Sequence, residues 1–268
     1  MSGAAVKYYL EVEPDVRIAV TLDDFTDPWT TPETVLMLHG NSESAAAWFA
    51  WVPLFARRYR IIRPDMRGFG NSTPMREDYR WSLARLVADL VAVCRRQEAA
   101  CVHVVAAKIS CQVALKFAID HPDMVRSLTL VGPPPPVREL ATRVPSLDLV
   151  RQHGVEAWAR ANMAERLGAS MPPEAVEWWT RFMGRTPVST QLGFMQHLAI
   201  FDIEAELGSV TQPTLVLAPE QSLDEVAAWQ QNIPASRLVG VPGNSYHVAA
   251  SHAEFCAAQT IRFIEEVS

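Results

Sequence analysis

The stretch Val102-His103-Val104-Val105-Ala106-Ala107-Lys108-Ile109-Ser110-Cys111-Gln112-Val113-Ala114-Leu115 decides the fold. Apart from His103, its first residues are apolar, with three valines in four positions, as in a strand buried on both faces. The chain then passes into a helical stretch with no polar loop between. Ala106, Ala107 and Ser110 are small enough to permit a sharp turn there. The residue at the tip of that turn is Lys108, an amine at the end of a buried strand.

Working outward, Thr34-Val35-Leu36-Met37-Leu38 is a second continuous apolar run, and Tyr59 to Arg63 a third. Further strand-like runs span Ser127 to Val131, Thr214 to Leu217 and Ser236 to Val241. Tyr8 to Val12 and Val16 to Leu22 read as an N-terminal hairpin around Glu13-Pro14-Asp15. Helical spacing places Leu83, Leu86, Val87, Leu90, Val91 and Cys94 on one face between about residues 82 and 97, and a last helix covers about 250 to 265. Strands alternating with helices imply an α/β fold, a doubly wound and mostly parallel sheet. Pro133 to Pro136 cannot continue the strand before them, and helical segments follow to about Gly208. The expected division is therefore a core of residues 1–133 and 209–268 with a helical insertion of residues 134–208.

Composition narrows the function classes. The chain has 268 residues, 49% hydrophobic and 20% charged, so one large domain with an inserted subdomain fits. A net charge of -6 gives no reason to expect nucleic acid or an anionic membrane surface. Without a leader-like segment or a long apolar run, a soluble cytoplasmic protein is the expectation. Cys94, Cys101, Cys111 and Cys256 lack paired metal spacing and read as free thiols, so no metal and no cofactor is expected. A small-molecule substrate is the expected partner, and a homodimer is left open.

Four blocks resemble the α/β-hydrolase superfamily over nearly the whole length from about residue 34. Ala106-Ala107-Lys108-Ile109-Ser110 is similar to its nucleophile elbow, small-x-nucleophile-x-small, with lysine in the nucleophile slot. His39-Gly40-Asn41-Ser42 followed by Trp48 resembles the oxyanion loop. Pro64-Asp65-Met66-Arg67-Gly68-Phe69-Gly70-Asn71-Ser72 resembles the signature P-D-x-R-G-x-G-x-S. Gly243-Asn244-Ser245-Tyr246-His247 sits where the family has its catalytic histidine. Thr186-Pro187 and Phe201-Asp202-Ile203 resemble the capped enol-lactonase and carbon–carbon-bond hydrolase branch. On this resemblance the insertion is a helical cap following the sixth strand.

The resemblance implies an oxyanion hole from the backbone N–H groups of Asn41 and Ile109, and His247 as general base. It implies an acid after the Thr214 to Leu217 strand, but Ser222 stands there, leaving Glu220, preferred, or Asp224 to reach His247. Asp65 and Arg67 are expected to brace the loop. Ser42, Trp48, Trp158 and Trp179 are the candidate substrate-binding residues. Arg126, Arg138 and Arg143 read first as solvated surface charge, with recognition of an acidic substrate as the alternative.

The start of a helix and burial under a cap both disfavour an ammonium, so the Lys108 pKa is expected to fall from about 10.4. An acyl-lysine amide would not turn over. That leaves proton transfer, Schiff-base chemistry or water activation on a small carbonyl-containing substrate, as hydrolysis, carbon–carbon cleavage or lyase chemistry. The tryptophan-rich cap points to an apolar or aromatic molecule. Two alternatives stand beside this enzyme reading. One is a ligand-binding homologue without turnover. The other is a conventional hydrolase with Ser110 or Cys111 as a displaced nucleophile.

Overall fold

The computed structural model describes residues 4–136 and 147–268. Among these, strands β1 (Ala4–Glu13), β2 (Val16–Asp24), β3 (Thr34–Leu38), β4 (Arg60–Pro64), β5 (Val102–Ala107), β6 (Val125–Val131), β7 (Thr214–Pro219) and β8 (Ser236–Val241) form one sheet. Its order is β1-β2-β4-β3-β5-β6-β7-β8. The β1–β2 and β2–β4 pairs are antiparallel, and every pair from β4 through β8 is parallel. This is the α/β-hydrolase fold that the sequence led us to expect.

Helices α1 (Val52–Phe55), α2 (Leu83–Arg96), α3 (Ser110–Asp120), α7 (Leu223–Gln230), α8 (Val248–Ser251) and α9 (Ala253–Val267) flank the sheet. Helices α4 (Asp148–Leu167), α5 (Pro173–Gly184) and α6 (Val188–Gln196) lie between β6 and β7 in sequence. Strands β3, β5 and β7 are buried at every position because both faces of the sheet are covered there. Leu36 and Val104 enter one apolar layer with Leu90 and Phe117, while Met37 and Val105 enter the other with Phe55 and Ile264. No helix of the described residues is long and apolar enough to cross a membrane.

The loop after β4 holds the strand ends in place. Asp65 accepts from the Ala45 N–H at 2.6 Å and from the Asn71 N–H at 2.7 Å. A Cβ on Gly70 would sit 2.3 Å from Asp65 Oδ2, and Gly70 has φ +57, so only glycine serves there. Arg67 is fully buried and donates to Asp89 at 2.6 and 2.8 Å, with Glu13 2.8 Å away. Removing one partner of a buried pair leaves the other charge uncompensated. Arg67→Ala is therefore expected to lower the unfolding free energy by about 3–5 kcal/mol, read from urea unfolding at neutral pH.

Candidate functional site

The turn between β5 and α3 puts Lys108 in the left-handed region, with φ 56. An L-residue there pays a Cβ–carbonyl clash, tolerated because the turn is fixed on both sides. The Lys108 N–H donates to Val131 O at 3.0 Å, and Lys108 O accepts from the Cys111 N–H at 3.0 Å. The side chain turns inward. Its Nζ donates to Tyr246 O at 2.8 Å and lies 3.9 Å from the centre of the Tyr246 ring. Loss of hydration lowers the amine pKa first and the neighbouring Arg166 charge second, from 10.5 to about 7. The direction is the one expected from the sequence, and burial is its main cause.

His247 follows β8 and is buried. Its backbone N–H donates to Arg166 O at 2.9 Å, which ties the histidine loop to the end of α4. Burial lowers the imidazole pKa against the pull of Glu43, favouring the neutral ring. The carboxylate that meets His247 is Glu43, with Oε1 2.8 Å from Nε2, a close contact off the hydrogen-bond axis. The His247 Nδ1 is buried without a partner. Glu43 itself is buried, which would raise its pKa, but His247 and Arg166 together bring it down to about 2.

Glu43 corrects the expectation for the acid. Glu220 begins a single 3-10 turn after β7 and is exposed, as is Asp224 at the start of α7. That turn carries both carboxylates into solvent. Glu43 is brought in instead by the loop after β3, where Ser42 takes φ 61 and Glu43 Oε2 accepts the Gly40 N–H at 2.9 Å. A Cβ at Gly40 would lie 3.1 Å from Glu43 Oε1, so the glycine leaves the carboxylate its place. The sequence held a signal for this, since Glu43 directly follows the quoted loop and no carboxylate stands at Ser222. A cleft of about 310 Å³, lined by Glu43, Ser44, Phe182, Arg185 and Thr186 among others, opens beside it.

Arg166, in the last turn of α4, has no sequence signal. It is buried, with Nη1 3.7 Å from Glu43 Oε1. The Trp158 ring centre lies 5.9 Å from its guanidinium carbon, and the Trp179 ring stands edge-on to His247 at 5.2 Å. Trp158 and Trp179 are thus gathered at the site. Trp48 is not: the short 3-10 turn Ala45–Trp48 drives it into the core, edge-on to Trp51 at 5.0 Å. Ser42 is buried too, its Oγ donating to Gln191 of α6 at 2.7 Å.

The Asn41 and Ile109 residues lie just beyond the ends of β3 and β5, which are neighbours in the sheet. Neither backbone N–H donates to a described group. Ser110 and Cys111 are spoken for. The Ser110 hydroxyl bonds to His39 O and faces Met66 Sδ, while the Cys111 thiol donates to Ala106 O at 3.2 Å. Burial raises the Cys111 thiol to about 12, so it is not a ready thiolate. Arg126 lies at the opposite end of β6, exposed and 3.6 Å from Glu33, while Arg138 and Arg143 fall outside the described residues. Among the described residues no group of three or more His, Cys, Asp or Glu is placed to hold a metal ion.

A family model described as alpha/beta hydrolase fold matches residues 33–172. The chain is 35% identical over 104 residues to a pimeloyl-[acyl-carrier protein] methyl ester esterase from Aeromonas hydrophila, covering 39% of this chain and 39% of the esterase. It is 34% identical over 101 residues to a 2-hydroxymuconate semialdehyde hydrolase from Pseudomonas, covering 37% and 35%. These matches span little more than a third of either relative. The enol-lactonase from Burkholderia xenovorans is similar in structure, with a TM-score of 0.81 at 16% identity over 96% of this chain and 100% of that one.

Proposed function

The chain belongs to the α/β-hydrolase fold family, and we propose that it is an enzyme acting on a small carbonyl compound through the Lys108 amine. The observation that carries this is an amine at the elbow tip, drawn to a pKa of about 7. Near neutrality a large fraction of it is unprotonated and able to act as nucleophile or base. Family relatives are hydrolases, and one acts on a semialdehyde, which supports a carbonyl substrate.

In this reading the unprotonated amine adds to the carbonyl carbon and the carbonyl oxygen takes the negative charge. The Asn41 and Ile109 amides, which donate to no described group, are suited to stabilise that oxygen. Neutral His247 carries the first ammonium proton to the alkoxide, giving a carbinolamine, and then carries the remaining N–H proton to the hydroxyl as it leaves as water, which gives a neutral imine on Lys108. Glu43 is the positioning residue that orients His247 and offsets its charge. Trp158 packs against Arg166 and Trp179 against His247. No cofactor enters the scheme.

The cover over the amine favours a second reading, ligand binding without turnover, because Nζ already donates to Tyr246 O beneath an aromatic ring. Borohydride trapping separates the two. With a panel of small aldehydes and ketones near pH 7.5, intact mass is expected to show a reduced adduct, and peptide mapping to place it on Lys108. Absence of an adduct across the panel, together with absence of turnover, would sink the enzyme reading.

A further inference from the structure

Arg166 carries an unmet hydrogen-bonding demand at the site. Only 5% of it is exposed, and among the described residues it forms one ion pair, a long one to Glu43. Nε is buried with no partner at all, and Nη1 stops 3.7 Å short of Glu43 Oε1. That oxygen already faces His247 Nε2 at 2.8 Å, while Oε2 is taken by the Gly40 N–H at 2.9 Å. One carboxylate therefore serves a guanidinium, an imidazole and a backbone amide.

A guanidinium presents five donors in a planar fork, and one carboxylate 3.7 Å away that also serves His247 and the Gly40 N–H does not fill them. Its position is not accidental. Arg166 O accepts from the His247 N–H at 2.9 Å and from Ser245 Oγ at 2.8 Å, so the histidine loop and this side chain are fixed together. The Tyr246 ring links it to the amine, because the Arg166 guanidinium carbon and Lys108 Nζ both lie within 5.2 Å of that ring's centre.

We propose that Arg166 anchors a carboxylate of the substrate, so that the compound taken at Lys108 is a short oxo acid with carboxylate and carbonyl only a few bonds apart. The fork pairs with the carboxylate in bidentate fashion, and the carbonyl falls toward the amine. The carbonyl half rests on the Lys108 reading given above; the carboxylate half does not.

The test compares phenylpyruvate and levulinate with their carboxamides by calorimetry, using the wild-type protein and Lys108→Met. Each acid is expected to bind at least about 30-fold more tightly than its amide, and Arg166→Gln to erase the preference while Arg166→Lys keeps part of it. Equal affinity of acid and amide for the wild type overturns the proposal, as does a preference that survives Arg166→Gln. If Arg166→Gln does not fold, the wild-type comparison decides alone. Failure of the Lys108 reading would look different, with the acid preference present in both proteins and no imine trapped.

Discussion

Lys108→Met is expected to lower kcat/KM by about 10³-fold or more and, at the same time, to make the folded protein more stable at pH 7. The loss of rate follows if the amine is the reacting group, since methionine fills similar space with no nucleophile or base. The gain in stability follows from the pKa. The folded chain holds Lys108 at about 7, against an ordinary value of 10.5. Between those values the unfolded chain binds a proton that the native one lacks, so wild-type stability rises with pH across the window. Below about pH 7 the full penalty of a buried ammonium beside Arg166 is present, on the order of a few kcal/mol. Methionine removes that penalty. Urea unfolding at pH 6.5 and 9.5 reads it directly, with the wild type gaining on the variant at the higher pH. Parallel profiles for the two proteins would mean that Lys108 is not desolvated in the way described.

Neither half of this result alone identifies a reacting amine. A residue that merely packs the turn would lose stability on replacement, and a surface lysine would change neither quantity. A site that gives up stability to hold an uncharged amine is the signature of function.

Much of this site was legible in the sequence, and what escaped did so for physical reasons. The central strands could be read because they alternate their side chains between two apolar layers, which leaves runs such as Val35 to Leu38 without a polar position. The elbow could be read because only small residues fit beside so tight a turn. Glu220 misled because proximity to a strand end says nothing about which way the next turn points, and here it points to solvent. Trp48 misled because a tryptophan near an oxyanion loop can serve the core as readily as the pocket. Arg166 could not be found at all: its meeting with Glu43 joins residues on α4 and on the loop after β3, and no local pattern records such a contact.

Glu43→Gln provides the sharpest test of how His247 is held. Glutamine keeps the shape, and its amide oxygen can still accept the Gly40 N–H now bound at 2.9 Å. With a small rotation onto the ring axis, its amide N–H₂ would donate to His247 Nε2, which moves the ring proton to Nδ1. A ring protonated there cannot take a proton at Nδ1, so kcat is expected to fall by about 10²–10⁴-fold with little change in KM. Glu43→Asp, which keeps the charge on a shorter stem, is expected to retain part of the rate. Stability moves as well. The wild-type carboxylate has its pKa lowered from 4.5 to about 2, so its contribution is whole above about pH 4.5 and lost as pH falls toward 2. Glutamine also strips Arg166 of its nearby counter-charge, costing about 3–5 kcal/mol at pH 7. The unfolding free energy of Glu43→Gln should therefore lie well below the wild type at pH 7, and the two should converge in acid. A residue that only filled space would leave kcat and the acid limb of the stability profile where they were.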